Sequence, residues 1–233
     1  MEVMEYRLKV YLLRDIKQED ALTNIAKLVD SSFLKNEELK EMHKKNIYKP
    51  YCFNSFFPLE KDGVHKEGNI YTVILRMLNV SETLKIHFEK VLVGCFTDSI
   101  KLLTVEKRKI YPKMIEKIYS LTPCIVKNDE GYWRDMFSII DFERWLKENL
   151  IKKYNYFYNE KIDENFELSN YIVFENKGPI SVKMKNIKLL GEKITLHIAH
   201  NETAQRLAYM ALGTGILEVN ARGLGFVNSR FYT

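Results

Sequence analysis

The chain has 233 residues, 46% apolar and 29% charged, with 36 Lys and Arg against 31 Asp and Glu. That composition excludes disordered, collagenous and low-complexity classes, and the length is ample for a buried core. Apolar runs of only a few residues exclude a membrane helix, the N-terminus lacks a signal peptide's apolar stretch, and Cys52, Cys95 and Cys124 share no CxxC spacing; the expectation is a soluble, intracellular protein with unbridged thiols.

From Tyr6 to Leu12 apolar residues alternate with Arg7 and Lys9, which predicts a half-buried strand. Ala21, Leu22, Ile25, Leu28, Val29 and Phe33 then fall at helical spacing, and a short second helix from Glu37 to Lys44 turns Leu39 and Met42 inward. Pro50 pushes Lys49 out of the helical region and opens an extended run to Pro58. A turn at Lys61–Gly63, where His65 is expected in solvent, leads to a strand over Asn69–Leu78. Ser81 is placed to cap a helix burying Leu84, Phe88, Val91 and Leu92, with His87 on the same side in a structural role. A strand from Ser99 to Ile110 closes the unit. The order is strand, helix pair, strand, strand, helix, strand: the split, ferredoxin-like arrangement.

A second round starts near Pro112. Met114–Lys127 reads as extended with a bend at Pro123, and Phe137–Leu150 as a helix; Asn155–Asn176 gives no clear pattern. Ile180–Leu189 and Lys193–Ala199 read as a hairpin turning at Gly191. Asn201 is placed to cap a helix burying Ala204, Leu207, Ala208 and Ala211, and Phe226–Phe231 is the last strand. The expected fold class is α+β: two tandem ferredoxin-like domains, residues 1–111 and 112–233, the second with a C-terminal glycine-rich loop.

Charge is unevenly placed. Residues 177–233 carry five Lys and three Arg against three Glu, whereas 112–176 carry nine basic and twelve acidic residues. Lys40, Lys44, Lys45 and Lys49 form a second basic cluster. Such patches neutralise phosphates, although charge alone fits a solvated surface as well. Four of the ten glycines (Gly213, Gly215, Gly223 and Gly225) lie within thirteen positions around Arg222. No Lys-Ser/Thr follows them, which excludes a P-loop, and the block leaves a helix rather than joining strand to helix, which excludes the dinucleotide fingerprint. A helix C-cap plus a tight return loop is the bland alternative.

A glycine loop between the last helix and last strand of twin ferredoxin-like units resembles the RAMP superfamily of CRISPR-associated proteins, and within it the endoribonucleases that process CRISPR precursor RNA. Met42-His43 followed by Lys49-Pro50-Tyr51-Cys52-Phe53-Asn54-Ser55 is similar to that family's histidine and following strand; Leu121-Thr122-Pro123-Cys124-Ile125-Val126 resembles the opening of its second unit, and Leu150–Tyr154 its helix end. The resemblance implies metal-independent cleavage within repeats by 2′-OH attack, leaving a 2′,3′-cyclic phosphate and a 5′-OH. It also implies repeat RNA as partner, with other effector-complex subunits or a homodimer as further possibilities, no cofactor and a prokaryotic cytoplasmic location.

Such chemistry needs a proton-transfer group near neutrality and fixed positive charge on the pentacoordinate transition state. His43, near a helix C-terminus and among lysines, is the catalytic candidate, with Lys49 first and Lys45 second for charge stabilisation. The family's first-helix tyrosine has no counterpart in Ala21–Leu34, where Ser31 or Ser32 is the nearest polar substitute. RNA binding is expected from Lys44, Lys183, Lys185, Lys188, Lys193, Arg206 and Arg222, with backbone contacts from Gly213, Gly215, Gly223 and Gly225. His197 and His200 are three apart on an expected strand and point apart, and no carboxylate or cysteine completes a metal site, so none is expected. Two other readings stay open: a non-catalytic RAMP-type RNA-binding subunit, and a ferredoxin-like protein without an RNA role.

Overall fold

The computed structural model describes residues 1–127, 131–184 and 187–232. The N-terminal half begins with β1 (Val3–Leu12) and a two-residue strand β2 (Ile16–Lys17), then the helices α1 (Ala21–Phe33) and α2 (Glu37–Lys44). After β3 (Tyr51–Phe53), the two-residue β4 (Val64–His65) and β5 (Ile70–Leu78) comes α3 (Glu82–Ile86), which widens into a π turn over His87–Val91, and then β6 (Ile100–Ile110). Neighbouring strands run antiparallel in the order β3-β5-β1-β6. Tyr6, Leu8 and Val10 face α1, whose Ile25, Leu28, Val29 and Phe33 are buried against them with Phe88. Period two in the strand and period near four in the helix meet on one apolar face.

The C-terminal half repeats the plan with β7 (Ile115–Ser120), α4 (Ile139–Tyr158), β8 (Ser169–Phe174), β9 (Ile180–Met184), β10 (Ile187–Gly191), β11 (Ile194–Ile198), α5 (Glu202–Thr214) and β12 (Val227–Phe231). Its sheet order is β12-β7-β11-β8, which is the same permutation as in the first half: fourth, first, third, second. The fold is therefore two ferredoxin-like units in tandem. Caps fix the helix starts. Asn36, Ser81 and Asn201 each accept from the amide three residues on, and Ser138 with Asp141 forms a reciprocal box at α4.

Three sequence expectations are corrected. The hairpin is β9 with β10, pairing Met184 with Ile187, whereas Lys193–Ala199 supplies the inner strand β11 between β7 and β8. Gly191 is not its turn: a Cβ there would lie 2.7 Å from the Cys124 carbonyl oxygen, so glycine marks the close passage of residues 123–125. The helix expected to end at Leu150 continues to Tyr158, because Ile151 and Tyr154 extend its buried face. His65, expected in solvent, is fully buried, since the short β2–β4 pairing folds it between Phe56 and Tyr71.

The halves pack through α5 on the end of the first sheet. A Cβ at Gly213 would stand 2.9 Å from the Leu78 amide nitrogen, so the approach requires glycine. Tyr209 Oη accepts from the Val3 amide and donates to the Ile110 carbonyl. Arg76, buried, donates to the Val227 carbonyl at 2.7 Å and to Asn228 Oδ1 at 3.1 Å while pairing with Glu5 at 2.8 Å. The second half's final loop then lies against α1 and β3, with Gly223 close to Leu22 and Phe53.

Candidate functional site

The loop from α5 to β12 is built around an amine that composition does not single out. Lys153, inside α4, is fully buried, and its Nζ donates to the carbonyls of Gly215 and Leu217, each at 2.9 Å, and to Asn220 Oδ1 at 2.7 Å. Burial pulls its pKa down to about 7. Asn220 in turn donates to the carbonyls of Ile216 and Leu224. Leu217 and Val219 take positive φ (54° and 64°), a strained choice for bulky residues that this network holds in place.

The four loop glycines, expected to offer backbone contacts to RNA, are packed inside the protein. All are buried, and the amides of Gly215, Gly223 and Gly225 donate to the carbonyls of Ala211, Asn220 and Pro123. At Gly225 (φ +65°) a side chain would collide with the Ile216 carbonyl oxygen. Their N–H groups are occupied inside the protein, so the residues serve close packing.

What the loop presents is Arg222. Its guanidinium donates to one oxygen of Asp30 on α1, and the other Asp30 oxygen lies 3.3 Å from Nδ1 of His43 on α2. His43 is partly exposed, with its ring 6.3 Å from that of Phe33. The carboxylate thus ties the candidate histidine to the glycine loop. Lys49 Nζ donates to the Met42 carbonyl and, at 2.8 Å, to that of Lys45, so it closes the C-terminus of α2 just beyond His43. Burial lowers its pKa, Arg222 adds to that, and Asp30 opposes it.

Lys45, Lys49 and Arg222 line a cleft of about 680 Å³ between the two halves, walled also by Tyr48, Tyr156 and Glu218. Lys44 is exposed and held by Glu41 at 2.6 Å, outside this cleft. Arg206 is bound to Glu202 and Tyr154 on the first half of α5 and does not line it either. Lys183 and Lys188 stand opposite each other, exposed, on the β9–β10 hairpin, which packs against the turn Gln18–Asp20 ahead of α1. Lys193 lies just beyond the hairpin, half-buried, and Lys185 lies outside the described residues. Ser32 is buried and bonded to the Val29 carbonyl and to His87, whose pKa burial lowers to about 4; neither reaches the cleft.

Sequence reasoning missed Asp30 and Lys153. The available signal for Asp30 was an acid in the C-terminal half of a helix, against the dipole. For Lys153 it was a lysine sharing the apolar side of α4 with Leu146 and Leu150.

The pattern described as "CRISPR associated protein Cas6, C-terminal" matches residues 105–229, more than half of the chain. The chain belongs to the Cas6 family. It is 24% identical over 219 residues to the CRISPR-associated endoribonuclease Cas6 2 of Methanocaldococcus jannaschii, covering 84% of this chain and 87% of that relative. Among solved structures it is similar to a RAMP protein binding different RNA substrates, with a TM-score of 0.74 at 14% identity over 97% and 99% of the two chains. Thermus thermophilus Cas6 gives a TM-score of 0.62 at 16% identity over 98% of each chain. A Cas6-related protein of Pyrococcus furiosus gives 0.67 at 13% identity, also over 98% of each. At these identities the structural likenesses establish a shared fold. No helix among the described residues is long and apolar enough to cross a membrane.

Proposed function

We propose that this Cas6 chain is an endoribonuclease that cuts CRISPR repeat RNA by attack of a ribose 2′-OH on the adjacent phosphorus, without need of a metal ion. The observation that carries the reading is the Asp30 carboxylate, which touches His43 on one side and Arg222 of the glycine loop on the other, at the edge of a cleft lined by Lys45 and Lys49.

With Nδ1 of His43 lying 3.3 Å from Asp30, Nε2 is the nitrogen left for proton transfer. The 2′-oxygen–phosphorus bond forms and the bond from phosphorus to the 5′ oxygen breaks. The proton lost by the 2′-OH is balanced by the one gained by the leaving 5′ oxygen, and His43 handles that exchange. Lys45, exposed at the cleft, and Arg222 supply positive charge for the phosphorane. Lys49, its ammonium directed to the carbonyls that end α2, holds the segment bearing His43 and adds to the local field. Lys183 and Lys188, exposed on the hairpin that packs against Gln18–Asp20, and Lys193 just beyond it add positive charge suited to phosphates outside the cleft.

A second reading, an RNA-binding Cas6 chain without cleavage, is favoured by one observation: α1 brings no tyrosine to the site and its Ser32 faces His87. The deciding experiment incubates the protein with a repeat RNA, with and without EDTA, and maps the product ends. A 2′,3′-cyclic phosphate and a 5′-OH, formed equally under both conditions, support the nuclease. Saturable binding with no product between about pH 6 and 9 supports the second reading.

A further inference from the structure

Beside the Asp30–His43 pair the cleft has an aromatic wall that proton transfer does not use. Tyr48, in the segment after α2, and Tyr156, near the end of α4, meet edge to face with centroids 5.6 Å apart and planes at 68°. Tyr156 is 47% exposed, and the ring of Phe157 lies 5.3 Å from it, centroid to centroid. A ring fixed by its neighbours and open to solvent is an inexpensive stacking surface, since little side-chain freedom is lost when a base lands on it. Lys127 lines the same cleft, and a smaller adjoining cavity of about 230 Å³ carries Lys152 and Trp145.

Among the described residues the cleft is lined by one carboxylate, Glu218, in the turn organised by Lys153, while Glu148 of the adjoining cavity is paired with Lys152. Among the described residues Glu218 takes part in no ion pair: Lys127, Lys153 and Lys152 favour its charged form only from a distance, and burial raises its pKa. A carboxylate in a phosphate-binding cleft repels phosphate, so its presence there calls for a different partner. An ionised carboxylate accepts two parallel hydrogen bonds. Of the four RNA bases, only guanine offers two adjacent N–H donors on one edge, N1–H and the 2-amino group; adenine and cytosine offer one amino group beside an acceptor, and uracil a single N–H flanked by oxygens.

We propose that this cleft is a guanine-reading subsite for a nucleotide next to the cleaved phosphate, with Tyr156, braced by Tyr48, stacking on the base and Glu218 accepting from its N1–H and 2-amino groups. The proposal rests on the nuclease reading for where the nucleotide sits, but not for whether the cleft binds it. Lys127 lies on the same wall, placed to meet that nucleotide's phosphate. Selectivity follows because any other base offers the carboxylate at most one donor beside an acceptor, which leaves one oxygen unpaired in a partly desolvated pocket.

The test uses the full chain and a pool of RNA oligonucleotides randomised over a central window, in two arms. In the first, cleaved products are sequenced; in the second, a pool with 2′-deoxy nucleotides, which cannot be cut, is partitioned by filter binding. Both arms should show guanine enriched at one position, which in the cleaved products lies within about two nucleotides of the cut. Replacing that guanine by inosine, which lacks the 2-amino group, should weaken binding about tenfold. Glu218→Gln should abolish the enrichment in both arms, and Tyr156→Ala should weaken binding about tenfold for every base. A pool that is bound with guanine enrichment but never cut overturns the nuclease reading and leaves the subsite standing. Enrichment of another base, no enrichment, or a guanine preference that survives Glu218→Gln overturns the subsite. A circular dichroism melt within a few degrees of wild type confirms that each variant is folded.

Discussion

One oxygen of Asp30 lies 3.3 Å from Nδ1 of His43, while the other accepts from Arg222, 192 residues further along the chain. A single carboxylate on α1 is thus placed to orient the imidazole and to hold the loop that carries Arg222. Removing its charge while keeping its shape separates these roles from packing. Asp30→Asn is expected to slow single-turnover cleavage of repeat RNA by about 10- to 100-fold, through loss of imidazole orientation, with binding changed by less than about threefold. Unchanged cleavage would make the contact incidental.

Arg222 meets the same carboxylate from the other half of the molecule. Arg222→Gln is expected to reduce both cleavage and affinity, because the guanidinium both anchors the loop and faces the cleft. In the double variant with Asp30→Asn the effects should fall short of additive, with a coupling of about 0.5–3 kcal/mol measured as a double-mutant cycle on cleavage rates. Simple additivity would show that the two groups act independently.

Much of this architecture was legible locally. The alternation of Tyr6, Leu8 and Val10, the caps Asn36, Ser81 and Asn201, and the helical spacing of Ala204, Leu207 and Ala211 each express a short-range rule that the fold obeys. His43 could be singled out because a histidine among lysines at a helix end is a local pattern. What failed depended on distant chain. Gly191 read as a turn because nothing near it in sequence announces the approach of Cys124, and His65 read as solvated because the aromatic rings that cover it arrive from two other segments. The glycine loop was located correctly in sequence, but its amides bond within the protein, a property set by Lys153 and Asn220 rather than by the glycines themselves.

The buried amine of Lys153 makes a prediction about pH. Its pKa is lowered from the ordinary lysine value to about 7 in the folded chain, so between about pH 7 and 10.5 the unfolded chain holds a proton that the folded chain has released. Folding stability from this group therefore rises with pH across that window and is flat below it. Urea denaturation of wild type and Lys153→Met should show wild type gaining on the variant as pH increases from 7 to 9.5. A constant difference would mean that the amine stays charged throughout.

The glycine positions predict stability losses without a change of chemistry. Gly213→Ala forces a methyl group to within 2.9 Å of the Leu78 amide nitrogen, where backbone on both sides must move. A cost of about 1–3 kcal/mol is expected in the urea midpoint. RNA cleavage measured well below the transition should remain within about threefold of wild type, because Gly213 is buried in α5 against the first sheet. A large activity loss at full folding would return the glycine to the RNA interface.

His43 itself offers the most direct measurement: the single-turnover cleavage rate of a repeat RNA by His43→Ala, set beside the variant's affinity for the same RNA carrying a 2′-deoxy nucleotide at the cut. If this imidazole moves the proton, the rate should fall by about 100-fold or more while the dissociation constant stays within about threefold. Equal losses in rate and affinity, or a rate that survives the substitution, would contradict the account.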